Sequence, residues 1–293
     1  MEIAVISGKG GTGKSIISAA FATLNTRVVL ADCDVDAANQ FLVFNPLLEQ
    51  TQVFTGGQSA VIDKERCSNC GICIIYCKFD AISLVGEEVV ISETSCDGCH
   101  LCKRLCPLGA ISIVNNNKSR LHSGSFRNGK MVYGRLAAGE ENSGKLVNLV
   151  RKRARYQAKI NQIDTIIIDG PPGIGCPVIS SITGVHIVVV VTEPSLSGLH
   201  DLKRALKITK SFGSKTWVVI NKYDLNTQIT SQIIDYCNSE KIPIAGQLPF
   251  DAKIVDAMIN CNSIIEWDPQ SAVSIEIERI WNTIINESIL LAT

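Results

Sequence analysis

The 293-residue chain has no excess charge of either sign: Lys and Arg total 28, and Asp and Glu total 28. A chain so balanced has no global attraction for nucleic acid or for an anionic membrane. It also lacks an apolar run long enough to cross a bilayer. The first residues, Glu2-Ile3-Ala4-Val5-Ile6-Ser7, have neither the basic start nor the cleavage site of a secretory leader, and they read as a buried strand. Without an export signal, a cytoplasmic, reducing setting is expected, which argues against disulfides. The length allows one large domain or two smaller ones.

Cysteine, by contrast, is abundant: there are twelve, and eight fall into two copies of one spacing. Cys67-x2-Cys70-x2-Cys73-x3-Cys77 is followed by Cys96-x2-Cys99-x2-Cys102-x3-Cys106-Pro107, each cysteine 29 positions after its counterpart. The repeat extends past the thiols, since Ala81-Ile82-Ser83 matches Ala110-Ile111-Ser112. Thiolates suit iron–sulfur clusters, and three cysteines of one loop can hold three irons of one cubane. In the bacterial two-cluster ferredoxin pattern, the fourth cysteine of each run crosses to the other cluster. That pattern assigns Cys67, Cys70, Cys73 and Cys106 to one [4Fe–4S] cluster, and Cys77, Cys96, Cys99 and Cys102 to the second. Zinc is the competing metal, and the continuous triple-cysteine runs argue against it. Lys78 replaces the proline that usually follows the fourth cysteine, and its charge is expected to raise the potential of the nearby cluster. Such a module has little apolar core, so the clusters should supply much of its stability.

Elsewhere, apolar strands alternate with helical stretches. Residues 27–32, 165–169, 186–191 and 216–221 are continuous β-branched runs of the kind that suits parallel strands covered on both faces. The expected fold is α/β: a doubly wound, mostly parallel sheet with ligands at the carboxyl ends of its strands. The cysteine-rich stretch interrupts it, so the domains are expected at 1–60 and 115–293 for the sheet and 61–114 for the inserted module.

Gly8-Lys9-Gly10-Gly11-Thr12-Gly13-Lys14-Ser15 follows the first strand and precedes a helix, the setting of a phosphate-binding loop. Backbone N–H groups of such a loop wrap phosphates, Lys14 neutralises the terminal ones, and Ser15 ligates magnesium. The second lysine, Lys9, together with Asp32-Cys33-Asp34-Val35-Asp36 and Asp169-Gly170-Pro171-Pro172-Gly173, resembles the deviant Walker A ATPases of the MinD, ParA and Mrp superfamily. The resemblance covers essentially the whole chain, and it implies a MinD-like P-loop fold and slow, Mg²⁺-dependent turnover of ATP to ADP. It further implies that Asp34 orients or deprotonates the attacking water and that Asp169 holds magnesium, with Gly173 near the terminal phosphate. Lys9 would reach the partner's nucleotide across a homodimer, acting as an arginine finger does. Asn221 and Lys222 would contact the base, with Pro249 and Asp251 on a second base-side loop; turn chemistry alone also accounts for these four. Loop and helix-start chemistry is an equal reading for Asp32 and Asp36.

Cys33, Cys237 and Cys261 read as small core residues. Cys176 stands seven positions after Asp169, matching the spacing of a cluster-ligating cysteine in the nitrogenase iron protein. Both packing and a dimer-bridging ligand remain open for it. The stretch 118–159 is rich in Lys and Arg, and its later half reads as a helix capped by Ser143. A solvated face is its simplest reading, a dock for an acidic redox partner or for the module the sharper one, and nucleic acid the third. The mixed charge of residues 274–281 and the apolar Ile289-Leu290-Leu291 favour packing on the domain over a membrane anchor. Together these features imply an ATPase that couples dimer closure to electron transfer or redox sensing with a protein partner. The alternatives are a metal-cluster carrier or maturation factor, and a partner-positioning regulatory ATPase.

Overall fold

A computed structural model describes residues 1–290, with side chains to residue 287, so Leu291 lies outside the described residues. The strands are β1 (Glu2–Ser7), β2 (Val28–Asp32), β3 (Leu47–Val53), β4 (Gln58–Ile62), β5 (Ile82–Val85), β6 (Glu88–Ile91) and β7 (Ile111–Asn115). They continue as β8 (Arg120–Phe126), β9 (Gly129–Arg135), β10 (Ile166–Pro172), β11 (Ile187–Thr192), β12 (Lys215–Asn221) and β13 (Ile244–Leu248). The helices are α1 (Lys14–Thr23), α2 (Gln40–Phe44), α3 (Ile72–Tyr76), α4 (Leu101–Leu105), α5 (Ser143–Ile160) and α6 (Cys176–Ile182). After them come α7 (Leu196–Ser211), α8 (Thr227–Ser239), α9 (Lys253–Ile259), α10 (Ile264–Trp267) and α11 (Ala272–Leu290).

The main sheet has the order β13-β12-β11-β1-β10-β2-β9-β8-β3. The strands from β13 to β9 are parallel to their neighbours, while β8 is antiparallel to both β9 and β3. Alternation along the central strand divides the core into two layers: Ala4 and Ile6 face α5 to α8, and Ile3 and Val5 face α1 and α11. Because the strands are parallel, their carboxyl ends share one edge. That edge carries Ser7, Asp32, Asp169 and Asn221, the position where open α/β sheets bind ligands.

The cysteine-rich stretch forms two small ladders of its own, β4 with β7 and β5 with β6. Its outer pair begins at Gln58 and ends at Asn115, slightly wider than the expected 61–114. The 29-residue repeat reaches the backbone, where Asn69 and Gly98, Gly71 and His100, and Asp80 and Gly109 are matched left-handed positions.

Three sequence readings change. Asn142, left-handed at φ 69°, precedes α5 where Ser143 was expected to cap it, and Asn tolerates this conformation through its short polar side chain. Cys261 is exposed, also with positive φ, while Cys33 and Cys237 are buried. The basic stretch 118–159 is only partly a solvated face: it supplies the β8–β9 hairpin, and Arg151 is buried against Glu2 at 2.8 Å. Residues of α11 pack on the sheet, with Ile277, Ile280 and Ile284 buried and Trp281 against Phe21. Among the described residues no helix is long and apolar enough to cross a membrane.

Candidate functional site

At the carboxyl edge, the loop between β1 and α1 borders a cavity of about 530 Å³, within the range of small-molecule sites. Residues 10–16 line one side; Asp34, Asp36 and Asn39 line another, with Pro171, Pro172, Lys222 and Met258 completing it. Gly13, at φ 92°, starts α1 in a left-handed conformation, and a side chain there would stand 2.2 Å from the Asn221 amide. The first turn of α1 has no acidic residue, so its free N–H groups and positive dipole end are available to an anion.

Lys14 is buried and donates to Asp169 Oδ1 at 2.8 Å, with Asp34 Oδ2 at 3.5 Å. Burial works against its ammonium, but the Asp169 and Asp34 charges outweigh burial and hold its pKa above the usual lysine value. Asp169 also accepts from Ser18 Oγ at 3.0 Å and, on its second oxygen, from Gln40 Nε2 at 2.8 Å. Asp32 receives the backbone N–H groups of Asp34, Asn39 and Gln40, so it shapes the loop carrying Asp34 and does not face the cavity. Burial and the nearby Asp169 charge push its carboxyl up to about 7. Asp34 is also raised, chiefly by burial, against the pull of Lys14. Asp169 and Asp34 thus face one lysine, an excess of negative charge that a divalent cation arriving with phosphate would balance. Thr12 Oγ1 and Gln40 Oε1 are buried there without a hydrogen-bond partner, polar capacity that a nucleotide and its metal would use.

Lys9 lies outside the cavity lining. It pairs within its own chain with Glu193 Oε1 at 2.7 Å and donates to Ser195 Oγ and Ser197 Oγ at 3.1 and 3.0 Å. Glu193 also holds Lys222 at 3.3 Å. Burial opposes the Glu193 charge, but these two lysines outweigh it and keep the carboxyl below its ordinary value. Asn221 donates to Thr12 O at 2.8 Å, bracing the loop from behind. Pro249 and Asp251 stand outside the lining; their loop is tied to β12's end by Phe250 N–H donating to Asp224 at 2.8 Å. Gly173 donates to Ser7 O at 2.8 Å, joining the second acidic loop to the first strand. Glu193 and Gln40 were missed by motif reading. A glutamate ending a parallel strand is the only signal that could have pointed to Glu193.

In the module, one cavity is bordered by Cys67, Cys70, Cys73 and Cys106, and a second by Cys77, Cys96, Cys99 and Cys102. Each set draws three thiols from one loop and a fourth from the other. Backbone N–H groups of Ala60 and Ala110 point to Cys96 Sγ and Cys106 Sγ, both at 3.3 Å. Among the described residues, no three His, Cys, Asp or Glu converge on one point as a lone metal ion requires. A cubane differs, because each thiolate reaches a separate iron, and four cysteines bordering one cavity are the number it takes. Cys176 is exposed at the start of α6, in an open groove with Lys145, Asn148 and Lys152 that no other cysteine lines.

The sequence matches the CobQ/CobB/MinD/ParA nucleotide binding domain over residues 3–264. It is 34% identical over 285 residues to uncharacterized protein MJ0578 of Methanocaldococcus jannaschii, covering 96% of this chain and 95% of that protein. Among solved structures it is similar to the cell division ATPase MinD of Pyrococcus furiosus, with a TM-score of 0.58, 17% identity and 98% of each chain covered. MinD of Pyrococcus horikoshii in complex with Mg-ADP gives a TM-score of 0.57 at 17% identity, covering 97% of this chain and 95% of that one.

Proposed function

We propose, from the premise that this chain belongs to the CobQ/CobB/MinD/ParA nucleotide-binding family, that it is a Mg²⁺-dependent ATPase coupled to two [4Fe–4S] clusters. The similar fold solved with Mg-ADP supports nucleotide at the cavity beside residues 10–16. There, Lys14 would turn from Asp169 and Asp34 to the phosphates, and Asp169, with Ser15, would hold the magnesium that screens their charge. Asp34 faces the cavity and orients water. Lys9 leaves Glu193 when two copies meet face to face, and then serves the partner's nucleotide.

The observation that carries the redox half is the pair of cavities, each bordered by four cysteines contributed by both loops. When bound, such a cluster supplies one-electron storage and transfer. Because each ligand set spans α3 and α4, releasing a cluster requires the two loops to part. That favours electron relay or redox sensing with a protein partner over cluster donation.

Anaerobically purified protein should hold about eight irons per chain, falling by about four in Cys70→Ser or in Cys99→Ser. Zinc in place of iron would sink the cluster assignment. Lys14→Ala and Lys9→Ala should each slow ATP turnover by about 10²–10³-fold with iron content unchanged. Coupling predicts that MgATP shifts a cluster potential or that reduction changes turnover, and a protein silent in both directions is not a redox gate. ATP-dependent transfer of iron to an apo-acceptor would instead favour the carrier.

A further inference from the structure

The two cysteine-lined cavities are not equivalent with respect to the nucleotide site. Strand β4 leaves the main domain at Gln58 and runs outward to Ile62. The second site sits at its near end: the Gly98 backbone lies against Gln58 O, Ala60 N–H points to Cys96 Sγ, and His100 is hydrogen-bonded to the Gln58 side chain at 2.9 Å. The first site sits at the far end, bordered by Ile62 and Ile111. Their separation along the strand is that of a few residues at about 3.3 Å each.

The segment preceding α5 grips this near end. Gly139 packs on Thr94, two residues before Cys96, so closely that a side-chain carbon would stand 2.4 Å from Thr94 Cα. Lys118 pairs with Glu93, and the Lys118 N–H donates to Glu140 at 2.7 Å. The Asn142 side chain donates to Gly56 O, two residues before Gln58, and Glu141 O lies against the Gly56 backbone. On its other side, the first turn of α5 rests on α6, where a side chain at Gly144 would stand 3.4 Å from Cys176 Cβ. Helix α6 begins three residues after Gly173, the residue tied to Ser7 at the nucleotide cavity. A contiguous line of packed backbone therefore joins that cavity to the second site, while the first lies farther out, beyond the length of β4 and β7.

We propose that the site of Cys77, Cys96, Cys99 and Cys102 is the one that answers to nucleotide, through the joint formed by residues 56–58 and 139–144. Asn142, Gly56 and Gln58 are positioning residues in this account: they touch neither nucleotide nor cluster iron. The inference rests on the coupling proposed above and names its location.

The experiment uses anaerobic full-length protein with both clusters, recording the spectrum and midpoint potential of each with and without a non-hydrolysable MgATP analogue. Cys70→Ser and Cys99→Ser assign the two signals. The expected result is a nucleotide-dependent shift of the Cys99 signal while the Cys70 signal stays put. Asn142→Gly keeps the left-handed backbone but removes the bond to Gly56; it should abolish the shift with iron content and analogue affinity unchanged. Gly139→Ala, which forces the two segments apart, should do the same. A shift confined to the Cys70 signal, equal shifts in both, or a full shift in Asn142→Gly would overturn this inference and leave the coupling standing. No shift in either signal, with turnover indifferent to reduction, would remove both.

Discussion

The main domain and the inserted module bury very different amounts of apolar side chain, although one chain builds both. In the main domain two apolar layers cover a parallel sheet, with Trp217, Phe21, Ile167 and Leu30 among its fully buried side chains. The module's buried apolar cluster consists of Ala60, Cys73, Ile82, Val89 and Ile111, and one of these is itself a candidate ligand. Ordering each residue costs about 1–2 kcal/mol of backbone entropy, more than five buried side chains and the half-buried Ile62, Ile74, Ile91 and Ile113 offset over 58–115. The comparison teaches that the sheet domain is stable by burial, whereas the module, with so small a core, depends on the cluster binding proposed for its cysteines.

The largest effect that could break this contrast is removal of iron. Anaerobic chelation should unfold the module alone, read by hydrogen exchange as lost protection in β4 to β7 while β1, β10 and β11 stay protected. Protected module amides in the iron-free protein would mean that these side chains suffice. Next comes Trp217→Ala, which should cost the main domain about 3–5 kcal/mol in denaturant unfolding. Iron should still be bound under native conditions; loss of iron in step with the sheet would show a single cooperative unit.

A smaller effect comes from Asp32. Its carboxyl holds a proton up to about pH 7 in the fold, whereas an unfolded aspartate ionises near 3.8. The folded state therefore binds more protons between these values, and stability from this group falls as pH rises through about 7, then levels off. The total is on the order of a few kcal/mol. Asp32→Asn should flatten this part of the pH dependence in metal-free and nucleotide-free protein, and an unchanged slope between about pH 5 and 7 would refute the assignment. The smallest effect is expected from Lys118→Ala. Its pair with Glu93 joins the two regions, but the side chains are 60% and 47% exposed, so the cost should stay below about 1 kcal/mol. A much larger loss in thermal unfolding would mean that the regions depend on each other for stability.

Sequence patterns revealed the two regions for different reasons. Parallel strands buried on both faces write themselves as continuous β-branched runs, so β2, β11 and β12 were visible to within about one residue, and β10 runs three residues past its expected end. The β8–β9 hairpin was not, because it lies on an extension of the sheet where charged and polar residues mix with apolar ones. The burial of Arg151 and Glu140 was also hidden: as letters they look like surface charges, and only their partners, Glu2 for one and Ser119 for the other, explain their places. In the nucleotide site, residues within one loop were legible and those brought in from afar were not. Gln40 braces Asp169 from 129 positions away, and Glu193 holds Lys9 from the far side of β1.

The sequence by itself determined the chemistry on offer: a phosphate-binding loop between strand and helix, three acidic residues near it, and thiols at a doubled spacing. These are properties of short stretches, where covalent geometry limits which atoms can meet. The tertiary structure alone decided which of those groups face one another. It placed Lys9 on Glu193, left Cys176 outside both cysteine cavities, and set one of those cavities at the near end of β4 and the other at its far end. Such choices depend on packing between distant elements, which β4 and the first turn of α5 fix through contacts that no local spacing records.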